Sequence, residues 1–231
     1  MALKNQILSL ITEMRGRLDE LESLTRAMPV SSVPSPASFE EEGVVSLLSG
    51  KALGFGTEAI DEPLEISPYS LVGDFFQIGA PSPNAVARIE SFELSDLHRP
   101  ADSDELFGWS IYPVEQDSAW MTYEFTLKGI DFEAYDWFEW VLKCSASIPE
   151  TVSLRFHVDT DSFHDPIQRS DIRLNEYASF IYARLSREEI LAHIGNSDVR
   201  KIRLELGANG TRSPMRLYNY NVFGKRNKND S

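Results

Sequence analysis

Four stretches of the chain alternate apolar and polar residues with a period of two. Ala119 to Leu127 puts Met121, Tyr123, Phe125 and Leu127 on one face, and Trp120, Thr122, Glu124 and Thr126 on the other. Phe138 to Cys144 sets Phe138, Trp140, Leu142 and Cys144 against Glu139, Val141 and Lys143. Val152 to Asp159 sets Val152, Leu154, Phe156 and Val158 against Ser153, Arg155, His157 and Asp159. Lys201 to Leu206 sets Ile202, Leu204 and Leu206 against Lys201, Arg203 and Glu205. This period is that of antiparallel strands with one buried face. Weaker patterns predict strands at Leu53 to Ile60, Val86 to Leu94, Gly108 to Tyr112, Tyr177 to Leu185 and Leu217 to Phe223. One short helix is predicted at Ser186 to Ile194, with Ser186 as cap, Glu188 and Glu189 in the first turn and Gly195 as stop. The expected fold is mainly β, a two-sheet antiparallel sandwich over residues 43–225 with a polar tail at 226–231.

The first segment follows a different period. Ile7, Ile11, Met14, Leu18, Leu21, Thr25 and Met28 recur in steps of four and three, an a/d seam. Leu3, Leu10 and Leu24 widen it, and charges such as Glu13, Arg15, Asp19, Glu20 and Glu22 fill the outer positions. A lone helix of this length is marginal in water. Residues 1–28 can pack on their own domain or assemble with copies of themselves. Pro29 and the Pro/Ser-rich stretch VSSVPSPAS favour assembly, because residues 29–42 form a linker that separates the helix from its domain. The expectation is a coiled-coil homo-oligomer, a trimer or a dimer.

Composition narrows the partners. The chain has 231 residues and a hydrophobic fraction of 42%, enough to fill a core. Its formal net charge of -14 repels phosphate backbones and anionic lipid, so neither nucleic acid nor a membrane surface is an expected partner. The single cysteine, Cys144, sits in an apolar run and reads as a core residue. No signal peptide or membrane-length apolar run is evident. Cytoplasm is the default expectation, with non-classical export as the alternative.

Leu127 to Leu142 reads LKGIDFEAYDWFEWVL and is followed by the apolar strand VSLRFHVD. A polar loop, a helix-containing crossover, VRKIRLEL and RLYNYNVFGK then close the run. From Trp120 to Lys225 this texture resembles the jelly-roll, galactose-binding-like sandwich of carbohydrate-binding modules. The resemblance covers a little under half the chain and implies a jelly-roll sandwich and a saccharide ligand. The acidic calcium signature that many such modules carry near their first strand is absent from this sequence, so the group's structural metal does not carry over and no cofactor is expected.

The residues themselves offer several chemistries. His157, Asp159, Asp161, His164 and Asp165 crowd into HVDTDSFHD, but without zincin spacing, and the strand ends inside the motif, so its members need not converge. They read as turn formers and solvated groups. Outward carboxylates abound, yet no spacing places two across a cleft as glycoside hydrolysis requires. Gly54 and Gly56 precede a strand, not a helix, and read as a bend, not a phosphate loop. Trp120 and Trp137 are out of phase with the core residues beside them. An exposed indole next to charged groups makes a sugar platform, the ring packing on C–H bonds and the charges bonding hydroxyls. The expected binding residues are Trp120, Glu124, Arg155, His157, Arg203 and Glu205, provided their strands share one sheet. The two arginines point toward an acidic saccharide; the rival account pairs Arg155 and Arg203 with Glu124 and Glu205. A non-catalytic saccharide-binding module is the leading expectation. A structural or adaptor protein that binds another protein is the alternative, and a carbohydrate-active enzyme the third.

Overall fold

A computed structural model describes residues 43–50, 55–99, 104–113, 120–195, 197–209 and 214–227. The heptad seam of residues 1–28 and the linker at 29–42 lie outside the described residues. In chain order the elements are β1 (Val44–Ser49), β2 (Leu64–Ile66), β3 (Phe76–Gly79), β4 (Ala87–Glu93), β5 (Phe107–Pro113), β6 (Trp120–Lys128), β7 (Tyr135–Ala146), β8 (Glu150–Asp159), β9 (Ile167–Gln168), β10 (Ile172–Leu174), β11 (Ser179–Ser186), α1 (Arg187–Ile194), β12 (Lys201–Asn209) and β13 (Met215–Arg226). Among the described residues no helix is long and apolar enough to cross a membrane.

The strands form two antiparallel sheets packed as a sandwich. Sheet A has seven strands in the order β11-β7-β13-β5-β4-β2, with β1 also paired to β13; sheet B has six, β10-β8-β12-β6-β3, with β9 paired to β8. The inward residues of the four alternating runs meet between the sheets: Trp140, Phe156 and Leu204 are fully buried. Phe125 of sheet B stacks on Tyr220 of sheet A at 5.4 Å, and Phe75 stacks on both Tyr220 (5.0 Å) and Trp109 (5.6 Å), so an aromatic column joins the layers. Cys144 lies in this core, and burial pushes its thiol up to about 12.

Two expectations change. The predicted strand at Leu53 to Ile60 is not one over its described part: the Phe55 amide bonds back to the Gly50 carbonyl, Gly56 turns at φ +83°, and Phe55 buries against Trp109 at 5.0 Å. Glu139, Val141 and Lys143 do face outward on β7, but all three are buried, because the side chains of the flanking strands cover them. Tyr182 and Asn221 flank Val141 in register, and Arg184 flanks Glu139. The short helix forms as its cap signals require, with Ser186 and Glu189 exchanging both bonds of a capping box.

Candidate functional site

The outward face of sheet B brings together all six residues singled out from sequence. Register fixes their arrangement in rows that cross the strands. One row runs Gln77–Glu124–Glu205–Arg155–Gln168 over β3, β6, β12, β8 and β9. The next, Thr126–Arg203–His157, lies on one side of it. On the other side lies a row of small residues, Gly79–Thr122–Gly207–Ser153. Trp120 stands two residues beyond Thr122 on the same face of β6 and is 37% exposed.

The charged row is a fixed network. Arg203 Nη1 donates to Glu124 Oε2 at 2.6 Å, and Gln77 Nε2 donates to the same oxygen at 2.7 Å. Arg203 Nη2 reaches Asp159 at 3.3 Å, and Lys201 holds the other Asp159 oxygen at 3.0 Å. His157 Nε2 donates to Glu205 Oε2 at 2.6 Å, while Arg155 lies 3.5 Å from Glu205 Oε1. Glu124 and Glu205 are buried by these neighbours. Burial works against the charge of Arg203, but Glu124 and Asp159 outweigh it and raise its pKa. Burial likewise opposes the Asp159 charge, yet bonding to Lys201 and the nearby Arg203 hold its carboxyl below the usual range. The rival pairing of the arginines with Glu124 and Glu205 is thus what the structure contains. Because the carboxylates are buried, these are not the weak exposed pairs that pairing would give at a surface.

The row of small residues forms a trough beside this network. Across four strands it spans roughly 14 Å, at about 4.8 Å per strand. Neighbouring side chains close in on its glycines. A Cβ at Gly79 would fall 2.5 Å from Glu124 Oε1 and closer still to Thr122 Oγ1. One at Gly207 would fall 2.6 Å from Ser153 Oγ and 3.2 Å from Glu205 Oε1. Side chains of Thr122 and Glu124 therefore lie over Gly79, and those of Ser153 and Glu205 over Gly207, and both glycines are buried. Glu124 Oε1 takes a bond from Thr122 Oγ1 at 2.9 Å, and Glu205 Oε1 takes no hydrogen bond among the described residues. Tyr69 closes the β3 end. Its backbone sits at φ +63°, a strained conformation for an aromatic residue, with its hydroxyl donating to the Ala80 carbonyl and its ring over Gly79.

No family model matches the chain, and no curated protein does. Among solved structures the chain is similar to a CBM4 module, with 12% identity over 74% of this chain and 97% of that one and a TM-score of 0.43. It is also similar to the CBM22-1 xylan-binding domain from Paenibacillus barcinonensis, at 8% identity, 71% and 94% coverage and a TM-score of 0.44. A third is the family 11 carbohydrate-binding module from Clostridium thermocellum, solved with a β-1,3-1,4-mixed-linked tetrasaccharide: 8% identity, 71% and 95% coverage, TM-score 0.38.

Trp137 does not join Trp120. It lies on the outer face of sheet A, where the Arg184 guanidinium stacks 4.2 Å from its ring. The HVDTDSFHD segment is drawn apart into separate contacts: Asp159 to Lys201 and Arg203, Asp161 to Arg200, His164 to Thr160. Among the described residues no cluster is arranged to hold a metal ion. Sequence reading missed Gln77, Gly79, Gly207 and Tyr69. Gly207 was within reach, because it continues the outward phase of Arg203 and Glu205; Tyr69 lies in a loop and gives no periodic signal.

Proposed function

We propose that this chain binds an extended, neutral saccharide along the trough of sheet B, without chemistry, and that residues 1–28 gather copies so that several troughs engage one polymer. The observation that carries the reading is the row of small residues on the outward face of sheet B, bordered by the charged network and by the exposed Trp120. Arg155 and His157, partly exposed beside the row, offer polar atoms to sugar hydroxyls. An indole alongside suits the C–H face of a pyranose.

Charge balance argues for a neutral ligand. On this face Glu124, Glu205 and Asp159 stand against Arg155, Arg203 and Lys201, each cation paired with an acid. The arginines that suggested an acidic ligand are thus occupied. Catalysis has little support in the same geometry. Glycoside hydrolysis wants one carboxyl ready to give a proton, whereas Glu124 is held by Arg203 and Gln77 and Glu205 by His157.

Titration against a panel of neutral polysaccharides and their oligomers tests the proposal. Trp120→Ala should leave the fold intact and weaken binding about tenfold or more, the loss of a stacked ring and its contact area. If the wild type binds no neutral glycan at millimolar concentration, the proposal is wrong.

A further inference from the structure

The outer face of sheet A carries a second cluster, centred on Tyr218. β13 has a register shift between Leu217 and Asn219, which makes Tyr218 an extra residue. Its side chain lies on the outer face, with the hydroxyl 3.2 Å from Ser145 Oγ, the ring 5.2 Å from Phe92 and 4.6 Å from His98. Arg216 is exposed, with its guanidinium 5.3 Å from the Phe92 ring centre. Lys143 is buried; its Nζ donates to the Leu97 carbonyl at 3.4 Å and lies 5.5 Å from the Phe180 ring.

The charges here are unmatched. Among the described residues neither Lys143 nor Arg216 meets a carboxylate, although the chain carries a net charge of -14. Two acids of this face are ion-paired elsewhere, Glu139 with Arg184 at 3.0 Å and Glu90 with Arg88 at 2.6 Å, and Glu105 accepts from the neutral Asn219 amide at 2.9 Å. A buried ammonium with no counter-charge is costly. Burial holds Lys143 below its usual pKa, and burial together with Lys143 does the same to His98, whose Nδ1 has no partner. This is the reverse of the network on sheet B, where Arg155, Arg203 and Lys201 each have an acid.

An aromatic ledge adjoins the cations. Phe180 and Tyr182 stand side by side on the edge strand β11, ring centres 5.9 Å apart and planes 32° from parallel. Phe180 is in register with Lys143, and Tyr182 is 48% exposed beside the buried Val141. We propose that this face is a second saccharide site, one that takes a uronic acid. The sugar ring lies on Phe180 and Tyr182, and its carboxylate meets Lys143 and Arg216. A bare inorganic anion would leave the ledge unused, and a neutral sugar would leave the cations unanswered. The site is independent of the trough on sheet B.

The probe is a tetramer of galacturonic acid, titrated calorimetrically into the full chain, with its fully methyl-esterified form as control. The tetramer should bind and the ester should not, and binding should weaken as salt rises. Arg216→Gln and Tyr182→Ala should each weaken it about tenfold or more, and Trp120→Ala should leave it unchanged. Lys143→Met should act like Arg216→Gln if it folds; if it does not, the exposed Arg216 decides alone. The proposal is overturned if the wild type ignores the tetramer, if the ester binds equally well, or if a polyglutamate peptide binds as tightly as the tetramer. It is also overturned if Trp120→Ala removes tetramer binding, which would return the acidic ligand to the trough.

Discussion

Single residues on the two faces of sheet B behave differently because their surroundings do. Phe156 is fully buried and tilts against Trp140 at 5.3 Å, so Phe156→Ala should cost about 3–5 kcal/mol, read by chemical denaturation. Arg203 points the other way, yet its removal should also be costly. Arg203→Met would leave Glu124 buried without its counter-charge, a loss of about 3–5 kcal/mol. A variant as stable as wild type would show that Glu124 finds another partner. Glu150 gives a pH signature. It is buried at the start of β8, and burial pushes its carboxyl from 4.5 up to about 7. Its folded pKa lies above its unfolded one, so the folded state holds the proton longer. Its contribution is then fully present below pH 4.5, is lost as pH rises toward 7, and changes no further above that. The melting temperature of Glu150→Gln, set against wild type at pH 5 and pH 8, should show wild type losing more over that interval.

At the scale of elements, legibility followed period and burial. The runs with strict alternation became β6, β7, β8 and β12, and their register brought the six singled-out residues to one face. β3 was not readable, since Phe76, Gln77, Ile78 and Gly79 are all buried and show no alternation. Gln77 is hidden on the outer face by its bond to Glu124, a contact made with a strand 47 residues away. The trough was equally invisible: a glycine in a strand can mark a bulge, a bend or a close approach, and only the neighbouring strands reveal which. Local chemistry was enough for α1. Ser186 caps it, Glu189 answers, and Arg169 holds Glu189 at 2.7 Å. Ser186→Ala should therefore cost about 1 kcal/mol, measurable as a shift in denaturation midpoint without loss of saccharide binding.

For the whole molecule, the consequence of the sequence lies in combining weak sites. A few hydroxyl contacts with one indole support only modest affinity. Residues Glu40–Ser231 form one compact unit, and the heptad seam at residues 1–28 precedes it across a Pro/Ser-rich linker. Copies joined through that seam would present several troughs to one polymer, and the linker sets their effective concentration. The gain then depends on ligand length, not on any new contact. Full-length chain should run as a dimer or trimer in light scattering, and residues 43–231 as a monomer. Both should bind a short oligosaccharide equally per chain. On a long polysaccharide the full-length chain should bind at least about a hundredfold more tightly. Equal affinity of the two forms for the polymer would show that the seam does not serve binding. Monomers at micromolar concentration in both would show that it does not assemble the chain at all.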